Sequence, residues 1–173
     1  MLRMITDARE IDGRKLMDVY AESNLENTDF FYPDEKDKET AVRMVEDGFL
    51  EFLRNGFFTR ESSACFVLEE DGVWESALRI TPVGDGLYYM EALETRPDRR
   101  KRGYAARLLR AAEDELKKRG PFRLCSCVSK KNEASLRTHL ACGFRIVSEE
   151  GFDYLSGEAD GRDYGMEYAY TGA

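Results

Sequence analysis

Residues 94–116 read ETRPDRRKRGYAARLLRAAEDEL, and this segment gives the clearest indication of the fold. A strand-like run ends at Thr95, a basic loop follows, and a helix is predicted to begin near Gly103 and to cover residues 104–119. Its apolar residues recur at helical spacing and form one stripe: Ala105, Leu108, Leu109, Ala112 and Leu116. Such a stripe is typical of an amphipathic helix packed against a sheet. The stretch therefore predicts a strand–loop–helix unit.

The basic loop in front of this helix carries four consecutive cations, Arg99 to Arg102. A helix N-terminus leaves several backbone N–H groups without partners and carries partial positive charge. Gly103 has no side chain at the point where an anion would touch the backbone. Ala105, the next residue that the anion would approach, has only a small side chain. The pattern favours a phosphate-binding turn. A solvated basic loop before an ordinary helix is the alternative interpretation.

The rest of the sequence predicts short strands and helices. Strands are predicted at 2–6, 64–69, 73–81, 87–95 and 122–128, with a final hairpin at 144–156 and 164–170. Helices are predicted at 7–21, 39–54 and 133–141, and the polar stretch 24–39 is interpreted as a loop. With the helix at 104–119 the element order is βααβββαβαββ. This order indicates an α/β (α+β) fold, a mixed sheet with helices on both faces.

The composition limits the class of protein. With 173 residues, 42% hydrophobic and 35% charged, the chain is expected to form one domain over residues 1–173, and a disordered chain or disulfide scaffold is excluded. The net charge of −8 argues against nonspecific binding to nucleic acid or membrane surfaces. The first ten residues contain four charges and no apolar core of a secretion signal, so we expect a cytoplasmic location.

The cysteines do not predict a metal site. Cys65, Cys125, Cys127 and Cys142 lack the spacing of zinc ligands, and His139 is the only histidine. Free cysteines are most often buried, so reduced, buried thiols are expected here. We therefore expect no metal cofactor.

A second motif follows the predicted strand 122–128. Residues 130–144 read KKNEASLRTHLACGF and contain Asn132 and the pair Gly143-Phe144. Together with Arg100, Gly103 and Ala105, which match the pattern (R/Q)xxGx(G/A), this segment resembles the GNAT superfamily of acyl-CoA-dependent N-acetyltransferases. The resemblance is strongest over residues 87–150, and the element order extends it along the chain. It implies a mostly antiparallel sheet of six to seven strands.

The resemblance implies that the chain binds acetyl-CoA, the acyl donor. In that family, backbone amides of the turn and first helical residues hold the pyrophosphate, and the preceding strand bonds the pantetheine arm through its main chain. The implied pyrophosphate residues here are Arg100, Lys101, Arg102, Gly103, Tyr104, Ala105 and Ala106, and the implied pantetheine residues are Leu93, Glu94 and Thr95. Glu94 is implicated through its backbone, and its side chain need not react. Asn132 and Ser135 are further candidates, with helix capping as the structural alternative.

Two side chains are candidates for proton transfer. His139 stands where the family usually has the tyrosine that protonates the departing thiolate, and its unperturbed pKa of about 6.5 suits that role. Packing beside Leu136 and Leu140 is the alternative. Glu91, two residues before Leu93 and predicted on the same strand face, is the candidate base for the amine. A solvated strand glutamate is its alternative.

The resemblance places the amine acceptor between the loop after the first helix and the last hairpin. Those segments, residues 27–39 and 151–165, are rich in acidic and aromatic residues and would suit a cationic amine. The predicted function is transfer of an acetyl group to a primary amine by direct attack in a ternary complex. The acceptor is a small-molecule amine or a protein or peptide amine, and a homodimer is compatible with the sequence. A non-catalytic CoA-binding sensor or scaffold is the alternative.

Overall fold

The computed structural model describes residues 1–172. Its five helices are α1 (Gly13–Val19), α2 (Ala21–Phe31), α3 (Lys38–Phe52), α4 (Tyr104–Lys117) and α5 (Glu133–Ala141). Its nine strands are β1 (Leu2–Ile5), β2 (Ala64–Glu70), β3 (Val73–Gly84), β4 (Leu87–Thr95), β5 (Phe122–Ser129), β6 (Arg145–Ser148), β7 (Gly151–Asp153), β8 (Glu158–Asp160) and β9 (Asp163–Tyr170). Within this part of the chain, no helix has the length and apolar character of a membrane span.

Seven strands form one mixed sheet in the order β1-β2-β3-β4-β5-β9-β6. Neighbouring strands run antiparallel except for β4 and β5, which are parallel. Strands β7 and β8 form a separate two-stranded hairpin. The mostly antiparallel sheet with helices on both faces confirms the predicted fold class.

Each face of the sheet has its own apolar core. On one face, α4 packs through Leu108, Leu109, Ala112 and Leu116 against sheet residues that include Leu78, Ile80, Met90 and Leu124. On the other face, Leu16, Met17 and Val19 of α1 pack against Val67, Trp74 and Ala77. From Ala77 onwards, the side chains of β3 alternate between the two faces, with Ala77 in the cluster on the α1 side and Leu78 and Ile80 in the cluster on the α4 side. The sheet is therefore covered by α4 on one side and by the N-terminal helices on the other.

The main difference from the sequence prediction is α2, because residues 24–31 were interpreted as a loop. The inward positions of this helix are polar: Asn24 is 3% and Thr28 is 1% exposed. The amide of Asn24 donates to the sulfur of Met17, and the hydroxyl of Thr28 donates to the carbonyl of Leu25. A helix that buries polar side chains shows no apolar stripe, and the stripe is the signal that sequence periodicity detects.

Strand β4 contains a bulge. Ala77 pairs with Glu94 and Arg79 pairs with Glu91, so two residues on β3 advance while three advance on β4. Ala92, inside the bulge, has φ +55°, which is uncommon for a residue other than glycine. One extra residue reverses the side-chain alternation beyond it. Glu94 therefore shares the face of Glu91, whereas Leu93 packs on the α4 side.

Candidate functional site

The candidate site lies where β4 and β5 separate. Their parallel pairing covers only Leu87–Met90 against Arg123–Ser126. Beyond it, β5 continues to pair with β9 up to Ser129, while β4 continues along β3 up to Thr95. The gap between the two strands leaves the β5-facing main chain of residues 91–95 without a strand partner. This gap opens into two cavities.

The first cavity, here called the turn cavity, has a volume of about 800 Å³. It lies between the end of β4, the turn before α4 and the first turns of α5. The structure brings to its walls all but one of the predicted donor-binding residues: Leu93, Glu94, Thr95, Arg100, Lys101, Gly103, Tyr104, Ala105, Ala106, Asn132 and Ser135. Arg102 is exposed and is not among the lining residues. Two segments far apart in sequence therefore form one site.

Gly103 shapes the turn. It is the N-cap of α4 with φ +79°, and no side chain caps the helix, so the first N–H groups of α4 have no capping partner. A Cβ placed on Gly103 would find no atom within 4 Å, so the space beside this residue, at the start of the helix, is open. Unpaired N–H groups at the positive end of a helix dipole attract anions. The turn therefore has the geometry of a phosphate cradle.

The charges beside the turn are partly balanced within the protein. Arg100 pairs with Glu22 of α2, and this contact lowers the pKa of Glu22. Arg99 lies 3.6 Å from the buried carboxylate of Glu75. Tyr104 donates its hydroxyl to Glu70 at 2.8 Å, away from the cradle, so it faces the turn cavity through its main chain. Among residues 1–172, Lys101 and Arg102 are the cations of this turn that form no ion pair, and their charges add to the partial positive charge of the helix N-terminus.

At the other wall of the turn cavity, Asn132 caps α5. Its side-chain oxygen accepts the N–H of Ser135 at 3.0 Å. Both residues also line the cavity, so the capping role and a contact with a ligand are compatible.

His139 lies on the buried side of α5. It is 2% exposed, its Nδ1 is 2.8 Å from the carbonyl oxygen of Ser135, and its ring packs edge-on against Phe144 at 5.0 Å. Burial lowers its pKa, which favours the neutral ring. The preceding residue, Thr138, lines the turn cavity and His139 does not. The structure therefore places His139 in contact with Ser135 but outside the lining of the turn cavity.

Glu91 is also separated from the cavities. Its carboxylate accepts hydrogen bonds from Arg79, whose Nη2 is 2.7 Å away and whose Nε is 2.8 Å away. Glu91 lines neither cavity, whereas Arg79 lines the second one. The expectation that Glu91 and Leu93 share a strand face is wrong, because the bulge at Ala92 places Leu93 on the other side.

Glu94, unlike Glu91, borders the cavities. Together with Ser23 it lines both cavities. Burial raises the pKa of Glu94, and the neighbouring Ser23 hydroxyl and Arg100 charge act in the opposite direction. Only a main-chain role was predicted for Glu94, because the two-residue period of a strand cannot show a bulge.

The second cavity, here called the aromatic cavity, has a volume of about 590 Å³. It lies between α2, α3 and the sheet. Its aromatic lining residues are Tyr20, Phe31, Tyr32, Phe49 and Phe52. The only acidic lining residue is Glu94, since no acidic side chain of residues 28–39 and no residue of the β7–β8 hairpin lines it. The aromatic wall was predicted, and the acidic wall was not found.

The sequence profile of the acetyltransferase (GNAT) family matches residues 14–144. The chain belongs to this family. The matched region contains the turn, the bulge and the capped α5, so the GNAT assignment covers every element that forms the turn cavity. No curated protein sequence matches the chain.

Solved structures agree with the GNAT fold. The PaiA N-acetyltransferase from Thermoplasma acidophilum, solved in complex with coenzyme A, is 19% identical with a TM-score of 0.67, and the match covers 98% of this chain and 99% of that one. An aminoglycoside 6'-acetyltransferase type Ii is 16% identical with a TM-score of 0.64, covering 98% and 96%. YncA from Salmonella typhimurium, solved with acetyl-CoA, is 17% identical with a TM-score of 0.60, covering 98% and 92%.

The GNAT site contains no cluster that would hold a metal ion: among residues 1–172, no group of three or more His, Cys, Asp or Glu side chains is arranged for one. The features that fit a CoA-type donor are the open cradle at Gly103, the unpaired main chain at the end of β4, and the size of the turn cavity.

Proposed function

We propose that this protein transfers an acetyl group from acetyl-CoA to a primary amine by direct attack in a ternary complex, with Glu94 accepting a proton from the amine. One observation carries the proposal: Glu94 lies on the shared wall of the turn cavity and the aromatic cavity. A donor in the first cavity and an acceptor in the second would meet at this carboxylate.

The donor is assigned to the turn cavity. The pyrophosphate would accept hydrogen bonds from the free N–H groups of Gly103 to Ala106, and the pantetheine arm would bond the unpaired main chain of residues 93–95. Asn132 and Ser135 face the same space from α5. In this position the arm would run along β4 towards the bulge, which places the thioester near Glu94.

The acceptor amine must lose a proton before it can attack. The carboxylate of Glu94 takes one proton from the ammonium group, which leaves a neutral amine nitrogen. That nitrogen forms a C–N bond to the thioester carbonyl, and the C–S bond to CoA then breaks. The attacking nitrogen carries one surplus proton, which passes to the CoA thiolate, so the products are an amide, CoA thiol and protonated Glu94. A carboxyl group whose pKa is raised by burial is a stronger base than an exposed one.

His139 is not needed in this scheme. The thiolate is protonated by the attacking nitrogen itself, and His139 packs α5 against Phe144. The protein is expected to act in the cytoplasm, where acetyl-CoA is available.

The test compares two carboxylates of β4. With an amine panel and a thiol-release assay, Glu94→Gln should lower kcat by about 10²- to 10⁴-fold, the usual cost of losing a general base. The dissociation constant for CoA should stay nearly unchanged, because the main chain of residue 94 is retained. Glu91→Gln should cost clearly less. A larger loss at Glu91 would move the base to that residue, and CoA binding without turnover of any amine would support a sensor or scaffold instead.

A further inference from the structure

The aromatic cavity is mainly apolar. Besides its five aromatic side chains it is lined by Met44, Val45, Gly48 and Ala92, and its uncharged polar lining residues are Ser23, Asn24 and Asn27. Its mouth is apolar as well, since Phe31 on the wall is 59% exposed and Phe30, packed edge-on against it, is 79% exposed. Apolar surface of this kind is stabilised when an apolar ligand covers it.

The cavity has one place at which a positively charged group of a ligand could pair with a carboxylate. Among its lining residues only Glu94 and Arg79 are charged. Arg79 already pairs with Glu91, and its guanidinium lies 5.2 Å from the ring of Phe49 and 5.4 Å from that of Phe52. The two rings therefore already contact a cation, and the charge of Arg79 repels another. Of the acidic residues of α2, Asp29 pairs with Lys38, and Glu22 and Glu26 line the turn cavity rather than this one.

We propose that the acceptor is a primary monoamine with an uncharged, apolar tail. This inference rests on the proposed function, since it places the amine at Glu94 and the tail among the aromatic residues. A second ammonium group on the tail would be desolvated without a carboxylate to pair with. A carboxylate next to the amine would lie beside Glu94 and be repelled by it. Polyamines, aminoglycosides and free amino acids are thus disfavoured acceptors.

Two matched pairs of amines test the inference. Hexylamine and 1,6-diaminohexane have the same carbon chain and differ by one terminal ammonium. Phenylethylamine and phenylalanine differ by one carboxylate. We expect kcat/KM to be at least about thirtyfold higher for the first member of each pair. This factor corresponds to the free-energy cost of burying a polar group without a hydrogen-bond partner. Along a series from butylamine to octylamine, KM should fall about fourfold per methylene until the tail fills the cavity.

A substitution in the wall tests the assignment to this cavity. Met44 lines the cavity and is 38% exposed, so a polar side chain of similar length is tolerated there. Met44→Glu should supply the missing carboxylate and raise the ratio of kcat/KM for 1,6-diaminohexane over hexylamine at least tenfold. Met44→Gln, its uncharged control, should leave that ratio unchanged. An equal shift in both variants would show that charge at the wall does not set the preference.

The inference and the proposed function fail in different ways. If diaminohexane or phenylalanine is acetylated as well as its partner, the inference is overturned and acetyl transfer stands. If no amine is acetylated although acetyl-CoA binds, the proposed function fails. In that case, calorimetric titration of each amine into the CoA-bound protein still decides the inference. Tighter binding of hexylamine supports it, and equal or tighter binding of diaminohexane overturns it.

Discussion

The hydroxyl of Tyr20 donates a hydrogen bond of 2.7 Å to the main-chain carbonyl of Ala92, the residue at which β4 bulges. The two residues are 72 positions apart in sequence and belong to opposite layers of the fold. Tyr20 is 3% exposed, and burial raises its pKa well above the ordinary value, so the phenol stays a donor at any assay pH. This hydrogen bond links the N-terminal helices to Ala92, the bulge residue that directs the side chain of Glu94 towards the cavities.

Tyr20→Phe should therefore affect both stability and catalysis. Removal of the donor leaves the Ala92 carbonyl unsatisfied, which should lower the free energy of unfolding by about 1–3 kcal/mol. Because the bulge positions Glu94, kcat should also fall, by about tenfold, which is ~1.4 kcal/mol in the activation barrier. Urea unfolding and thiol-release assays measure the two effects. Tyr170→Phe, outside both cavities, is the control, and an unchanged kcat in Tyr20→Phe would show that the bulge holds without this bond.

Gly103→Val tests the phosphate cradle. Gly103 and Gly72 both have φ +79° and no atom within 4 Å of an added Cβ, so valine should strain the backbone similarly at either position. Both variants should lose about 1–3 kcal/mol of stability. Only Gly103→Val places a side chain in front of the free N–H groups of α4, so only this variant should weaken CoA binding, by at least about tenfold. Equal CoA affinity in the two variants, measured by calorimetry, would exclude the turn from the site.

His139→Ala should destabilise the protein rather than slow the reaction. Loss of a buried ring that contacts Phe144 leaves a cavity, at a cost of about 2–4 kcal/mol. The kcat per folded molecule should stay within a few-fold of the wild-type value. A loss of about 10²- to 10⁴-fold at unchanged CoA affinity would instead identify His139 as the general acid.

Glu113 should make stability depend on pH. This residue of α4 is 3% exposed, and burial raises its pKa from 4.5 to about 7. Between these values the unfolded chain has lost the proton and the folded chain keeps it, so the free energy of unfolding falls as pH rises. Above about pH 7 the carboxyl group is deprotonated in both states, so the free energy of unfolding falls no further on its account. Glu113→Gln should therefore be more stable than the wild type by about 1–3 kcal/mol at pH 8 and equally stable at pH 4.

Thermal unfolding across this pH range measures the effect. Asp114→Asn is the control, because the Asp114 carboxylate is exposed on the same helix. A constant difference between Glu113→Gln and wild type at all pH values would show that the carboxyl group of Glu113 does not titrate between the two states.

The sequence predicted the parts of the site that depend on local pattern. The apolar stripe of α4, the glycine at its start and the cap at Asn132 are all set by residues close together in the chain. The helix α2 was missed because Asn24 and Thr28 fill its buried positions and leave no apolar period. The placement of the Glu94 side chain between the two cavities was missed, because it follows from the bulge at Ala92, and the residue that bonds this bulge, Tyr20, is far away in the sequence.

Glu94 and Ser23 line both cavities, so donor and acceptor would be bound next to each other at the same time. This arrangement determines the form of the steady-state rate law. The four cysteines cannot easily carry the acetyl group. Cys65, Cys125 and Cys142 are buried and Cys127 is half-buried, and burial raises the pKa of Cys127 and that of Cys65, the latter to about 12. Without an acetylated enzyme form, both substrates must be bound before the first product leaves. Double-reciprocal plots at several fixed amine concentrations should therefore intersect, and CoA should inhibit by competing with acetyl-CoA.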